Sequence, residues 1–297
     1  MMDQADNLRN LINRNNLEQA NKKVELSSRV ITVTSGKGGV GKTNFSLNLA
    51  IQLSRFNKKV VIIDADFGLA NIEVLFGILP KYNLADVLRG EKDVEEVLTD
   101  GPMGIKFISG GSGLKELSNI TEKQLNYFIN NFSYLDAISD IIIIDTGAGI
   151  SKSVVNFIKA SDETIIVTTP EPTSITDAYA LIKTIKEESF GGIPDFKVVV
   201  NRADDEEEGA EIFNKISRAS SKFLGVRLQN LGYIPYDKFL VKAVKHQQPA
   251  TLCFPNCEFT KSIEKITNIL MDVTVEQNSE KSGIRGFMKR LVNIFGN

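Results

Sequence analysis

Short apolar runs alternating with helical patterns between Arg29 and Val273 predict an α/β chain, with a doubly wound, mostly parallel sheet and helices on both faces. Three observations carry this expectation. Seven runs read as buried strands: RVITVTS, KVVIIDAD, IKFIS, DIIIIDT, TIIVTT, FKVVVN and LGYIP. Some of them, such as Ile141 to Ile144, are apolar at every position, which suits central strands covered on both faces. A glycine-rich loop follows the first strand and opens a helical pattern. Ligands of such sheets sit at the carboxyl ends of the strands.

The chain has 297 residues, 42% of them hydrophobic, enough for a sizeable core. Its 35 basic and 37 acidic side chains leave a formal charge of -2, so no chain-wide field draws nucleic acid and no direct nucleic-acid partner is expected. No apolar run reaches 18 residues and the polar start MMDQADNLRN has no cleavable signal pattern, which reads as a cytoplasmic chain. Cys253 and Cys257 are too few for a disulfide framework and lack the second pair of a structural zinc site. The expected organisation is an N-terminal helical arm (1–28), an α/β domain (29–273), a polar linker (274–283) and a terminal amphipathic helix (284–297).

After the first strand, Gly36, Lys37, Gly38, Gly39, Val40, Gly41, Lys42 and Thr43 fit the G-x-x-x-x-G-K-[ST] template in its strand-loop-helix context. The glycines turn backbone N–H groups around phosphate oxygens. Lys42 neutralises β/γ charge, and the Thr43 hydroxyl ligates Mg²⁺. Downstream, the apolar strand Ile141 to Ile144 ends in Asp145, the pattern of a carboxylate that holds Mg²⁺ through water, and Gly147 and Gly149 free the following loop. The second strand ends in Asp64-Ala65-Asp66, two carboxylates whose spacing can place them on one side. A cap for the next segment is the plainer use of either.

The string KGGVGKT, with its second lysine, resembles the signature of the MinD/ParA/nitrogenase-iron-protein class of P-loop NTPases. The resemblance implies that Lys37 reaches a partner subunit's nucleotide, neutralising the transferring phosphoryl group as an arginine finger does and so coupling dimerisation to hydrolysis. It implies further that Asp66 orients the attacking water, that Asp64 supports the metal and phosphate shell, and that Asn71 lines the γ-phosphate side. By the same resemblance Asn201 and Arg202, with Pro235 in the loop after the last strand, recognise adenine. A guanine-type reading of Asn201-Arg202-Ala203-Asp204 competes with this, and the phosphate-loop resemblance favours ATP.

The tail GIRGFMKRLVNIFGN places Ile284, Phe287, Met288, Leu291, Val292 and Phe295 on one half of a helical wheel, with Arg285, Lys289 and Arg290 on the other half or its border. Such a helix suits reversible insertion at an anionic membrane surface, and a helix docked on the domain's own core is the other use of the same pattern. At the head, Asp3, Gln4, Ala5, Leu8 and Arg9 resemble the DQAxxLR motif of the FlhG (YlxH/FleN) family, MinD-like ATPases of flagellum placement and number. That family's motif contacts and stimulates an FlhF-type GTPase. GAG at 147 to 149, SGGSGLKEL at 109 to 117 and PEPTSITDAYALIK at 170 to 183 extend the resemblance over nearly the whole chain. It implies a slowly hydrolysing, ATP-dimerised switch that associates reversibly with the inner face of the membrane, with flagellar basal-body components as further partners. The rivals are a MinD-type division-site ATPase, a DNA-partitioning ATPase and an iron–sulfur carrier.

Overall fold

A computed structural model describes residues 27–66, 71–111, 122–189, 192–272 and 283–295, apart from the side chains of 122–126 and 295. Eight strands, β1 (Arg29–Ser35), β2 (Val60–Ala65), β3 (Thr99–Asp100), β4 (Lys106–Ile108), β5 (Ile141–Ala148), β6 (Glu163–Thr168), β7 (Asp195–Ala203) and β8 (Leu228–Pro235), form one sheet. Its order is β3-β4-β2-β5-β1-β6-β7-β8. All pairings are parallel except β3 with β4. All seven expected strands are present. The addition is β3, two residues on the outer edge of β4, too short to leave a hydrophobic signature.

The helices in chain order are α1 (Lys42–Arg55), α2 (Ile72–Phe76), α3 (Leu84–Leu88), α4 (Val94–Val97), α5 (Glu122–Ile138), α6 (Lys152–Ala160), α7 (Pro172–Glu188), α8 (Glu206–Ala219), α9 (Lys238–Lys245), α10 (Ala250–Cys253), α11 (Glu258–Asp272) and α12 (Gly283–Phe295). The all-apolar β5 serves two cores. Ile141 and Ile143 join Phe45, Leu49 and Ile263 on the face under α1 and α11. Ile142 and Ile144 join Phe132, Phe157 and Phe287 on the face under α5, α6 and α12. Burial of both faces is why the run carries no alternation.

At the amino edge of the sheet, Glu163 is buried with Arg29, which donates through Nε and Nη2 at 2.6 and 2.7 Å, and with Lys197 at 3.0 Å. Burial raises the Glu163 carboxyl, but the two cations outweigh it and hold it below its usual range. Arg29 also donates to the carbonyl of Leu270, tying the end of α11 to the start of β1. Removing one member of such a buried set costs about 3 to 5 kcal/mol, because the others keep their desolvation without their partner.

Of the two uses read from the terminal helix's pattern, this structure shows the helix docked on the domain's own core. Ile284, Phe287, Met288, Leu291 and Val292 are all buried, packed over α5 and α6. The face expected at a membrane lies on the protein's own core, because an apolar stripe of that width finds an equally apolar surface there. Asp136, in the last turn of α5, caps the helix from outside, accepting from Ile284 N at 3.0 Å and Arg285 N at 3.3 Å. The same carboxylate accepts from Ser28 N at 3.0 Å and from the Ser28 hydroxyl. Arg290 donates to the Ala160 carbonyl and to Asp162. Residues 1–26 of the arm and 274–282 of the linker lie outside the described residues, and with them Asp3, Gln4, Ala5, Leu8 and Arg9.

Candidate functional site

The phosphate loop, residues 36–43, leaves the carboxyl end of β1 and runs into α1. Gly39 and Gly41 take positive φ (+75 and +98), conformations that glycine adopts without a Cβ penalty. A Cβ on Gly36 would lie 2.2 Å from the backbone carbon of Asp177. Only glycine lets the loop pass the first turns of α7. α1 starts with no acidic residue in its first turn and no side-chain cap, so its positive end and free N–H groups are left for an anion. Lys42 is buried; desolvation holds its ammonium below the usual range against the pull of Asp145 and Asp66.

Asp64 and Asp145 are register partners on adjacent strands. Burial pushes the Asp145 carboxyl up to about 6, opposed by Thr43, Lys42 and Ser46. Ser46, one turn after the loop, donates to Asp145 Oδ1 at 2.9 Å. Asp145 Oδ2 is buried with no hydrogen-bond partner among the described residues. An orphaned carboxylate oxygen beside a threonine hydroxyl fits the shell of a hard divalent cation, which takes one or two carboxylates and several waters. Ser46, which fixes the Asp145 rotamer, is a residue that sequence reasoning missed; its i+3 position after Thr43 was the available signal.

Asp64 is used differently. Its oxygens accept from the backbone of Asp66 (3.0 Å), Asn71 (3.2 Å) and Ile72 (3.4 Å), so it braces both ends of the segment between β2 and α2, of which 67–70 lie outside the described residues. Burial and the neighbouring Asp145 raise its carboxyl to about 8. Asn71 opens α2, and its side chain makes no capping bond. Asp66 stands half-buried at the end of β2, and a Cβ on Gly147 would lie 3.5 Å from its Oδ1. The carboxylate therefore faces the glycine turn after β5, where Gly149, at φ +89, donates to the Ser35 carbonyl.

Asn201, buried at the end of β7, donates to the Val40 carbonyl at 2.7 Å, and Arg202, at φ +60, donates to Gly39 O at 2.9 Å. Both candidate base readers thus also grip the phosphate loop. Pro235 ends β8 opposite Ala203 and borders a cavity of about 440 Å³ with Tyr236, Asp237 and Phe239.

The sequence comparisons agree with this geometry. Residues 27–271 match the family described as ParA, "NUBPL iron-transfer P-loop NTPase". The antiactivator FleN of Pseudomonas aeruginosa is 39% identical over 264 residues, covering 89% of this chain and 93% of that protein. The chain belongs to the ParA/MinD family of P-loop ATPases. Within the family it is also 35% identical, over the full length of both chains, to the flagellum site-determining protein YlxH of Helicobacter pylori. The MinC:MinD cell division protein complex of Aquifex aeolicus is a structural neighbour, with a TM-score of 0.65 at 28% identity over 82% of this chain and 96% of that one.

Lys37, the second lysine of the phosphate loop, turns toward α7. Its ammonium donates to Glu171 Oε2 at 2.6 Å and to Thr173 Oγ1 at 2.8 Å, at the start of α7. The bond from Lys37 holds the Glu171 carboxyl below its usual range. Neither partner was singled out from sequence, although both lie in the PEPTS string. Cys257 is buried and Cys253 half-buried, both as free thiols. Among the described residues no cluster of His, Cys, Asp or Glu could hold a metal by itself, and no helix is long and apolar enough to cross a membrane.

Proposed function

We propose that this protein is an ATP-hydrolysing switch that pairs with a second copy when ATP is bound and acts in setting flagellum number or placement. The convergence of Lys42, Asp66 and the half-satisfied Asp145 on one phosphate loop carries the reading, in a chain similar to FleN and YlxH. In this reading the loop amides and Lys42 bind the β- and γ-phosphates, and Asn201, Arg202 and Pro235 line the adenine. Thr43 and Asp145 would hold Mg²⁺, with Asp64 bracing the backbone at Asp66, Asn71 and Ile72 beside them. The cation, when bound, neutralises charge on the β/γ oxygens. Asp66 orients the water for in-line attack, and the facing glycine turn lets its own loop track the γ-phosphate.

Lys37 supplies the coupling. In a single chain it is held by Glu171 and Thr173; in a pair it crosses to the partner's triphosphate, a stronger concentration of negative charge. Loss of that charge on hydrolysis releases the pair, and intrinsic turnover is slow. α12 alternates between its seat on α5 and α6 and an anionic membrane, where two copies in a dimer gain by multivalency. The arm, through Asp3, Gln4, Ala5, Leu8 and Arg9, stimulates an FlhF-type GTPase.

Sedimentation of the wild type, Asp66→Ala and Lys37→Ala with ATP and with ADP, with and without anionic vesicles, tests the proposal. Asp66→Ala with ATP is expected to be a vesicle-bound dimer, and Lys37→Ala a monomer that still binds nucleotide. A monomer in every condition, or pairing undiminished in Lys37→Ala, overturns it.

A further inference from the structure

The last turn of the helix that begins with α8 is wound differently from the rest. Residues Ser220–Leu224 form a turn of π-helix, a rare element that recurs at functional sites. The buried stripe of α8 runs Gly209, Ile212, Ile216 and Ser220, and Phe223, seven residues after Ile216, would continue it in regular winding. The wider turn delivers Leu224 to the core and leaves Phe223 67% exposed. Gly225, at φ +66, ends the turn.

Three exposed cations lie within five residues of Phe223 along the chain: Arg218, Lys222 and Arg227. Lys222 Nζ lies 5.2 Å from the Phe223 centroid. None of the three has an acidic partner among the described residues, whereas Lys215, one turn earlier on α8, is paired with Glu211. Residues 218–227 carry these three cations and no acidic side chain, in a chain whose formal charge is -2.

The corner also lies beside the end of α12. Arg227 immediately precedes β8, whose first residue, Leu228, pairs with Phe196 at the start of β7. Gly192 to Pro194, just before β7, and Asp195, its first residue, line a cavity of about 530 Å³ together with Ile294 of α12. Adjacent strands are only about 5 Å apart, so the cationic turn and the tail helix share the amino edge of the sheet, opposite the phosphate loop.

We propose that the π-turn is a second membrane contact: Phe223 enters the interfacial layer of an anionic bilayer while Arg218, Lys222 and Arg227 meet lipid phosphates. This rests on the membrane-binding reading of α12 and adds a lipid-contacting element to it. A single exposed ring among cations is too small an apolar patch for a protein partner, but it matches the pattern of an interfacial anchor. Beside a released α12 it would act as the second attachment that one short helix needs to bind stably.

The chain contains no tryptophan, so Phe223→Trp and, separately, Phe295→Trp each give the full-length protein one reporter. With ATP and vesicles of brominated phosphatidylglycerol and phosphatidylethanolamine, Phe223→Trp is expected to shift to the blue and be quenched, and to be unaffected by vesicles of phosphatidylcholine alone. Quenching of Phe295→Trp without quenching of Phe223→Trp overturns the second contact and leaves the tail as sole anchor. Quenching of neither overturns the membrane reading itself. The triple variant Arg218→Gln, Lys222→Gln, Arg227→Gln is expected to keep its ATP hydrolysis in solution and bind anionic vesicles at least about tenfold more weakly, with a shallower salt dependence. Unchanged vesicle affinity in that variant overturns the proposal.

Discussion

Removing the Asp136 carboxylate should release α12 without altering the chemistry of the helix itself. Asp136 holds the first turn of α12 through Ile284 N (3.0 Å) and Arg285 N (3.3 Å), and holds Ser28 through both its amide and its hydroxyl. Hydrogen bonds to a charged acceptor are worth about 1.5 to 3 kcal/mol each, and a negative charge at a helix N-terminus adds about 0.3 to 1 kcal/mol. The first turn is only partly buried, so water takes over some of these donors in Asp136→Ala. A net loss of about 1 to 3 kcal/mol remains, which moves the docking equilibrium by a factor of roughly 5 to 150. Amide hydrogen exchange of residues 284–295 in nucleotide-free protein reads this directly, since protection there tracks the fraction docked. Protection is expected to fall by that factor in Asp136→Ala while the strands keep theirs. Unchanged protection of α12 would refute the reasoning, because it would mean that the apolar face alone fixes the helix.

Three further outcomes concern the phosphate site. Asp64 has a folded pKa of about 8 against an ordinary 3.8, so the native state holds a proton that the unfolded chain has lost. Stability from this group is present at low pH and declines as pH rises through 8: the melting temperature of nucleotide-free wild type should fall from about pH 5 to pH 8 more steeply than that of Asp64→Asn, and equal slopes count against it. Ser46→Ala removes the hydroxyl that orients Asp145; in calorimetric titrations with a non-hydrolysable ATP analogue the Mg²⁺-dependent part of the affinity should drop about tenfold, with affinity in EDTA little changed. Gly36→Ala puts a methyl group 2.2 Å from backbone, and should destabilise by about 1 to 3 kcal/mol and abolish nucleotide binding, as seen by thermal melting with and without ATP.

The sheet was legible because its strands carry their own signal: Ile141 to Ile144 is a short β-branched run that suits a strand buried on both faces, and seven strand-like runs alternating with helical patterns name the fold. β3 was not legible, since Thr99 and Asp100 pair with β4 through backbone alone. In the site, the loop glycines, Lys42, Thr43, Asp66 and Asp145 stand out because their spacing is local. Glu171 and Thr173 as the resting partners of Lys37, and Asp136 as the cap of α12, depend on contacts 134, 136 and 148 residues apart, and no short pattern encodes these. Asp64 was read as part of the metal and phosphate shell; the alternative of a cap came nearer to its bonds, which run to three backbone amides around the next segment of chain. The tail's amphipathic pattern was visible, but periodicity describes a helix face without naming what covers it, and the cover in this structure is α5 and α6.

Seven of the eight strands run the same way, which gives the molecule two unlike poles. The reacting groups collect where those strands end, and the terminal helix, the arm's exit at Ser28 and the cationic π-turn collect where they begin. Held to a surface by the second pole, the protein would keep the first clear for exchange of small molecules and for docking of a twin, so anchorage and turnover need not compete for the same space.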